Sequence, residues 1–139
     1  MILKLSFLTT FTVLLLMMSV LMPCYAAKAN WIHLEDKAAL EGNYISEYDG
    51  NHLEYDPLTS IGKIWARQVY KPGSEGYKKG FSSLECRYVI DCPRKQIRFD
   101  YVEINFPDGD FEFDDKPDDW ESIQPNTMGS TWYSLVCPK

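Results

Sequence analysis

Two stretches with the periodicity of a β-strand constrain the fold of this 139-residue chain more than any other feature. In residues 63–70 and again in residues 81–92, side chains of two kinds alternate along the chain. Successive side chains of a strand point to opposite faces of a sheet, so each stretch predicts a half-buried antiparallel strand. The side chains predicted to share one face are Ile64, Ala66, Gln68 and Tyr70 in the first stretch and Leu84, Cys86, Tyr88, Ile90 and Cys92 in the second.

Shorter strands and turns are predicted on both sides of these stretches. Residues 31–34 and 52–55 each have the composition of a short strand, and residues 96–106 that of a long one. The segment 107–110 contains Gly109 and predicts a hairpin turn, because glycine accepts the positive φ of such turns. Most of the chain is therefore expected to be β-structure.

Two segments differ from this pattern. Residues 35–51 are polar, with one helical turn predicted at residues 38–40 ahead of a Tyr-rich stretch. Residues 127–136 predict a short C-terminal helix that Thr127 can cap. Three- and four-residue spacing places four of its side chains on one apolar face: Met128, Trp132, Leu135 and Val136.

An apolar segment at the N-terminus predicts export. Met1 and Lys4 form a short positive start, residues 5–22 are uncharged and apolar, and Pro23 ends any helix there. This pattern is typical of a secretory signal peptide, which we assign to residues 1–29.

Cleavage is expected between Ala29 and Asn30, where small residues have the spacing that signal peptidases require. Residues 30–139 then form one mature domain of about 110 residues in the periplasm or at the cell surface, with no membrane span. Three alternatives stay open: cleavage before Ala27, retention of the segment as a membrane anchor, and lipidation of Cys24.

The predicted mature chain keeps three cysteines, an odd number for an oxidising compartment. Cys86 and Cys92 fall in one predicted strand about 20 Å apart, beyond the reach of a disulfide. Cys137 is therefore expected in the bridge, and Cys92 is its better partner because it ends a strand just before Pro93. Cys86 is left as a free thiol, either buried as a small apolar residue or exposed and able to link two chains.

The predicted mature chain is acidic, and its charge is unevenly distributed. Removal of residues 1–29 leaves 12 of the 14 basic residues beside all 20 acidic ones, so the net charge is −8. Such a charge argues against nucleic acid as the partner. Residues 63–98 hold nine of the bases, whereas residues 30–62 and 99–139 are acidic. We expect opposite charges on neighbouring strands, and a charged docking face is the alternative.

No combination of residues predicts catalysis or a cofactor. Alternating acids in residues 108–115 invite comparison with a calcium loop, but Gly109 does not have the position that such a loop requires. His33 and His52 are the only histidines and lie outside any metal-ligand spacing. We therefore expect a non-enzymatic domain with no catalytic, cofactor-binding or metal residues.

Aromatic residues are numerous, with 4 Trp, 9 Tyr and 7 Phe. Most are expected in the core or at its rim. Several tyrosines fall at predicted strand ends or in loops, so a tyrosine-rich binding face is the alternative: Tyr44, Tyr48, Tyr55, Tyr70 and Tyr77.

A series of short motifs runs along residues 52–137. They are Leu53-Glu54-Tyr55-Asp56-Pro57, Ser60-Ile61, Ile64-Trp65, Ile90-Asp91-Cys92 with Arg94 and Arg98, the Gly109 turn, Trp120-Glu121-Ser122-Ile123-Gln124-Pro125, and Val136-Cys137. In this order and spacing, the chain resembles the surface-adhesin protein E-like family of exported bacterial proteins. The resemblance implies an α+β fold, with a single antiparallel sheet of about six strands. It also implies a C-terminal helix packed on the sheet and tied by a disulfide that matches Cys92 and Cys137.

The resemblance also carries a function. The protein that names the family is a lipid-anchored surface protein that binds host matrix and serum proteins such as vitronectin and laminin. This chain departs from the family in lacking a convincing lipoprotein signal, in a Tyr-rich insert near residues 37–51 and in having Cys86. We expect an adhesin-like envelope domain with an unidentified protein partner. The alternative is a soluble periplasmic module that binds a small ligand or another envelope component.

Overall fold

The computed structural model describes residues 28–35 and 37–139, which form an α+β fold around one antiparallel sheet. The strands are β1 (Trp31–Leu34), β2 (Tyr44–Asp49), β3 (Glu54–Asp56), β4 (Ile61–Tyr70), β5 (Ser83–Asp91), β6 (Gln96–Asn105), β7 (Phe111–Asp114) and β8 (Glu121–Ser122). The helices are α1 (Lys37–Gly42), α2 (Glu75–Lys78) and α3 (Met128–Val136).

The sheet has the strand order β1-β2-β4-β5-β6-β7, and every neighbouring pair is antiparallel. The short strand β3 pairs with the start of β4, and β8 pairs with the start of β6. The predicted fold class, with about six strands in one sheet and a helix at the C-terminus, is confirmed. The short strand β3 pairs with the same edge of β4 as β2 does, and β8 pairs with the same edge of β6 as β7 does.

Helix α3 begins with reciprocal hydrogen bonds between Thr127 and Ser130. The Thr127 hydroxyl accepts from the Ser130 backbone N–H at 3.3 Å, and the Ser130 hydroxyl accepts from the Thr127 N–H at 3.2 Å. These bonds satisfy amide groups that a helix start would otherwise leave unpaired. The capping role predicted for Thr127 is therefore confirmed.

The core lies between α3 and the middle of the sheet. Trp132 and Val136 are buried against Ile64 and Ile90, which are themselves fully buried. Leu135 was predicted on the same apolar face, but it is 36% exposed. Tyr133 takes the other flank of the stripe, where it packs against the core and its hydroxyl donates to the Cys92 carbonyl at 3.3 Å. The buried side of α3 is therefore formed by Trp132, Tyr133 and Val136, and Leu135 lies outside it.

A disulfide joins Cys92 to Cys137, as predicted, with a Cα–Cα distance of 5.7 Å. It ties the end of β5 to the end of α3 and closes a loop across a sequence separation of 45. Cys86 is a free cysteine and is buried on the face of β5 that looks toward α3. Of the two alternatives for this thiol, the structure has the buried one.

Three segments differ in detail from their predictions. The Tyr-rich stretch of the insert forms β2, which lies inside the sheet between β1 and β4. The strand predicted at residues 52–55 begins at Glu54, because the His52 N–H bonds back to the Asp49 carbonyl in a turn. The loop predicted at residues 71–80 contains α2, where the Ser74 hydroxyl accepts from the Tyr77 N–H.

Residues 1–27 lie outside the described residues. The signal peptide and the lipidation of Cys24 therefore stay predictions, as does cleavage after Ala29. In the part of the chain that is described, none of the helices has the length and apolar character needed to cross a membrane.

Candidate binding surface on the open face of the sheet

One face of the sheet is left uncovered by helix α3. Ile64 and Ala66 of β4 pack toward the helix, so the alternating residues Trp65 and Arg67 point to the opposite side. We call this opposite side the open face. The residues that matter on it are Trp31, Glu47, Trp65, Arg67, Glu85, Arg87, Tyr101, Glu103, Phe111 and Phe113.

A row of aromatic rings crosses the open face. The Trp65 ring meets Tyr101 edge-on at 5.3 Å between ring centres, and Tyr101 stacks on Phe113 at 6.0 Å. Phe113 in turn stacks on Phe111 at 6.5 Å. Phe111 and Phe113 are 58% and 61% exposed, although residues of this size are usually more buried. The row therefore presents apolar ring surface from the centre of the sheet to its edge.

Two arginines of the open face, Arg67 and Arg87, each contact a tryptophan ring and a carboxylate. The Arg67 guanidinium lies 4.1 Å from the centre of the Trp31 ring and donates to Glu47 Oε2 at 2.6 Å. Arg87 donates to both Asp100 oxygens, at 2.7 and 3.0 Å. These pairs join neighbouring strands, as the charge pattern of the sequence predicted.

Glu85 and Glu103 are an exception to that pattern, because they lie directly opposite each other on β5 and β6. Glu103 accepts hydrogen bonds from the Tyr101 hydroxyl at 2.8 Å and from Asn105 Nδ2 at 3.1 Å. Among the described residues, the half-buried Glu85 has no hydrogen bond or ion pair from its side chain. Burial raises the pKa of Glu85, and the charge of Glu103 raises it further against the lowering effect of Arg67. Like charges placed opposite each other destabilise a sheet.

A cleft of about 240 Å³ opens beside Glu85. Its lining consists of Ala29, Trp31, Asp49, His52, Trp65 and Glu85. The cleft thus combines two indole rings with a carboxylate that makes no hydrogen bond or ion pair in the described part of the chain, although Arg67 lies opposite it on β4.

At the other end of the cleft, Asp49 ties the start of β1 to the turn after β2. It is only 2% exposed, and it accepts from the backbone N–H groups of Asn30 at 2.9 Å and Asn51 at 3.0 Å and from His52 Nδ1 at 2.5 Å. Burial by itself would raise the pKa of Asp49. The hydrogen bonds from Asn30, His52 and Asn51 outweigh burial and lower that pKa below its ordinary value.

On the helix side, a smaller cleft runs between α3 and the sheet and includes Cys86, Tyr88 and Met128 in its lining. Its volume of about 30 Å³ has room for ordered water and is far below that of a ligand pocket. Burial raises the pKa of the Cys86 thiol to about 11, so the thiol stays protonated at neutral pH. A protonated thiol is a poor nucleophile.

The remaining residues singled out in the sequence are dispersed. His52 hydrogen-bonds to Asp49, whereas His33 lies exposed on the edge strand β1. In the acidic hairpin, the carboxylates of Asp108 and Asp114 accept from backbone amides of their own turns. No group of three or more metal-ligating side chains comes together within residues 28–35 and 37–139.

The aromatic surface differs from the tyrosine-rich binding face that was the alternative to core packing in the sequence analysis. Tyr48 packs on Trp132 in the core, and Tyr44 meets Tyr70 on the helix side of the sheet. The alternation of residues 63–70 placed Trp65 on the face opposite Ile64 and Ala66, and this is confirmed. Its neighbour Tyr101 follows only from the strand register.

Comparison with known proteins supports a relationship of fold. No protein-family model matches this sequence, and no curated protein is significantly similar to it. The crystal structure of protein E from non-typeable Haemophilus influenzae is similar to this chain, with a TM-score of 0.50 and 16% sequence identity. The similarity covers 84% of this chain and 81% of that one. At this identity the likeness shows the fold alone, and it agrees with the fold that the sequence resemblance implied.

Proposed function

We propose that this protein is an exported, non-enzymatic envelope domain, adhesin-like in fold, that binds a protein partner through its open face. The observation that carries the proposal is the row of aromatic rings from Trp65 to Phe111 beside two arginines. Trp, Tyr, Phe and Arg are the residues enriched at the centres of protein interfaces. A row that ends in two exposed phenylalanines is costly to leave in water, and a partner would cover it.

Export is supported by two independent features. Residues 1–29 have the pattern of a signal peptide, and the disulfide between Cys92 and Cys137 is compatible with an oxidising compartment. The resemblance to the protein E-like family makes host matrix and serum proteins the first partners to test. A small ligand is the alternative. The helix-side cleft, at about 30 Å³, is far below the roughly 300 Å³ of ligand pockets, so the open-face cleft of about 240 Å³ is the place to test for one.

The proposal predicts that replacing Phe113 with serine weakens binding of the exported protein to its partner by about tenfold or more, as at an interface hot spot. Wild-type protein is purified after export and titrated against immobilised vitronectin, laminin and whole serum proteins. Leu58→Ser is the matched control, since Leu58 is 94% exposed in the turn between β3 and β4 and should not change the affinity.

Phe113 is 61% exposed, so the serine variant is expected to keep the fold, which circular dichroism checks. The proposal fails if no matrix or serum protein binds saturably and fractionation leaves the protein wholly periplasmic. Equal loss of affinity in the Phe113 and Leu58 variants would instead remove the open face as the binding surface.

A further inference from the structure

We propose that the cleft beside Glu85 takes a lysine or arginine side chain of a basic polypeptide segment. This inference rests on the proposed function and names the chemistry of the partner. In the exported protein Ala29 has left with the signal peptide, and the cleft keeps Trp31, Trp65 and Glu85, whose carboxylate pairs with the incoming cation.

Charge complementarity selects a cationic partner. The two arginines nearest to Glu85 are already committed, Arg67 to Glu47 and Arg87 to Asp100. Glu85 therefore lies between Glu103 on β6, whose charge repels it, and Arg67 on β4, and the guanidinium of Arg67 forms its ion pair with Glu47 instead. A cation in the cleft would relieve this repulsion and pair with a carboxylate that is already partly desolvated, so little of the desolvation cost remains to be paid on binding.

The walls of the cleft suit the rest of a lysine or arginine side chain. The apolar stem of such a side chain can lie along indole rings while its charged end reaches the carboxylate. Trp31 and Trp65 already lie against guanidinium groups of this chain, at 4.1 Å from Arg67 and 5.5 Å from Arg87. These are cation–π contacts within the chain, made by one guanidinium group to each ring. The mature net charge of −8 would also steer basic segments toward the protein and repel acidic ones.

The test uses a short alternating Gly-Lys peptide as the probe and a matching Gly-Glu peptide as its counterpart. The exported protein should bind the Gly-Lys peptide saturably, and Glu85→Gln should weaken that binding about tenfold. Glu121→Gln removes the same charge from the exposed strand β8 and should change the affinity little. Thermal unfolding of Glu85→Gln should be no lower than that of wild type, because the change removes a repulsion between facing carboxylates.

Equal effects of Glu85→Gln and Glu121→Gln would overturn the cleft as the binding site, and equal affinity for the two peptides would overturn the cationic partner. If Phe113-dependent protein binding persists while the peptide fails to bind, only this inference is wrong. If the peptide binds, no matrix or serum protein does, and fractionation leaves the protein wholly periplasmic, the proposed function is wrong.

A second inference concerns the N-terminus and is carried by different contacts. We infer that cleavage between Ala29 and Asn30 delivers the new α-amino group to the buried carboxylate of Asp49. The Asn30 nitrogen already lies 2.9 Å from Asp49 Oδ1, and the Asn30 carbonyl accepts from the Gly50 N–H at 2.9 Å. Asn30 is therefore held in position on both sides before any cleavage.

Cleavage changes the chemistry of this contact while leaving its geometry in place. Hydrolysis adds water across the Ala29–Asn30 peptide bond and leaves a carboxylate on Ala29 and an ammonium group on Asn30. The neutral amide that donates to Asp49 becomes a cation, and charge-assisted hydrogen bonds are roughly twice as strong as neutral ones. The contact from Asn51 Nδ2 to the Lys28 carbonyl, at 2.7 Å, is lost with the leaving segment. Processing would thus replace an exposed contact with a partly buried ion pair.

The α-amino group of the exported protein should resist acetylation at neutral pH, because pairing with Asp49 raises its pKa above the ordinary value of about 7.7–8.0. Mass spectrometry of the product reads both the N-terminal residue and the extent of modification. Asp49→Asn should speed acetylation several-fold, whereas Asp56→Asn, which removes an exposed turn carboxylate, should not.

An N-terminus other than Asn30 would overturn this inference, as would equal acetylation rates in wild type and Asp49→Asn. If Asp49→Asn does not fold, the wild-type rate is compared with that of the same protein unfolded in urea, and equal rates would again exclude the ion pair. The result does not depend on what the open face binds.

Discussion

Replacing Trp132 with alanine is expected to lower the free energy of unfolding by about 3–5 kcal/mol. Trp132 is 3% exposed and packs against the rings of Tyr48 and Tyr88, at 6.3 and 6.2 Å between ring centres. Its removal loses the buried indole and leaves a cavity where α3 meets the sheet. Denaturant unfolding followed by circular dichroism measures the change.

Leu135→Ala on the same helix is the matched control. Leu135 is 36% exposed, so its truncation should cost about 1 kcal/mol or less. Similar losses in the two variants would mean that α3 contributes through its helical structure and that its packing on the sheet matters little.

The disulfide is expected to contribute a stabilisation of similar size. Replacing both Cys92 and Cys137 with serine should lower the free energy of unfolding by about 4 kcal/mol, because the unfolded chain gains the freedom of a loop spanning 45 residues. Removing both sulfurs avoids leaving an unpaired thiol. Equilibrium unfolding in urea with and without reductant measures the effect.

Reductant should destabilise wild type to about the level of the double variant and leave the double variant unchanged. Cys86→Ala is the control, since Cys86 is not in the bridge and its change removes only one buried sulfur. A reductant effect of less than about 1 kcal/mol on wild type would contradict the expected role of the bridge. Marginal stabilities of 5–15 kcal/mol are usual, so either loss would remove a large share of the total.

Periodicity recovered the parts of the fold whose side chains differ most between the two faces. The strands around Ile64 and Ile90, the helix with Trp132 and the bridge from Cys137 were all predicted, because burial on one side leaves a regular apolar pattern. Strand β2 was not, because its buried positions include Ser46 and Asp49. Asp49 is buried through hydrogen bonds to the backbone, and such bonds leave no apolar pattern in the sequence.

The candidate site was the least predictable part. Its rings come from strands far apart in the chain, and a register shift between Arg87 and Tyr88 decides which residues of β6 they face. With that shift Tyr101 lies opposite Arg87 and meets Trp65. The shift leaves one residue of β6, Asp100, without a partner in the register, and the alternation within either strand does not show where such a bulge falls.

The sequence by itself determined which side chains share a face, where α3 begins and which cysteines can reach each other, because these properties depend on spacing along a chain of known geometry. The tertiary structure decided which of the two faces α3 would cover. Val136 packs closely against Gly62, where a Cβ would lie 2.3 Å from Val136 Cγ1. This approach is possible only on the face of β4 to which a side chain at position 62 would point, because glycine has none. Packing against Gly62 buries the apolar side of β4 and leaves Trp65, Arg67 and Glu85 on the open face, where a partner can reach them.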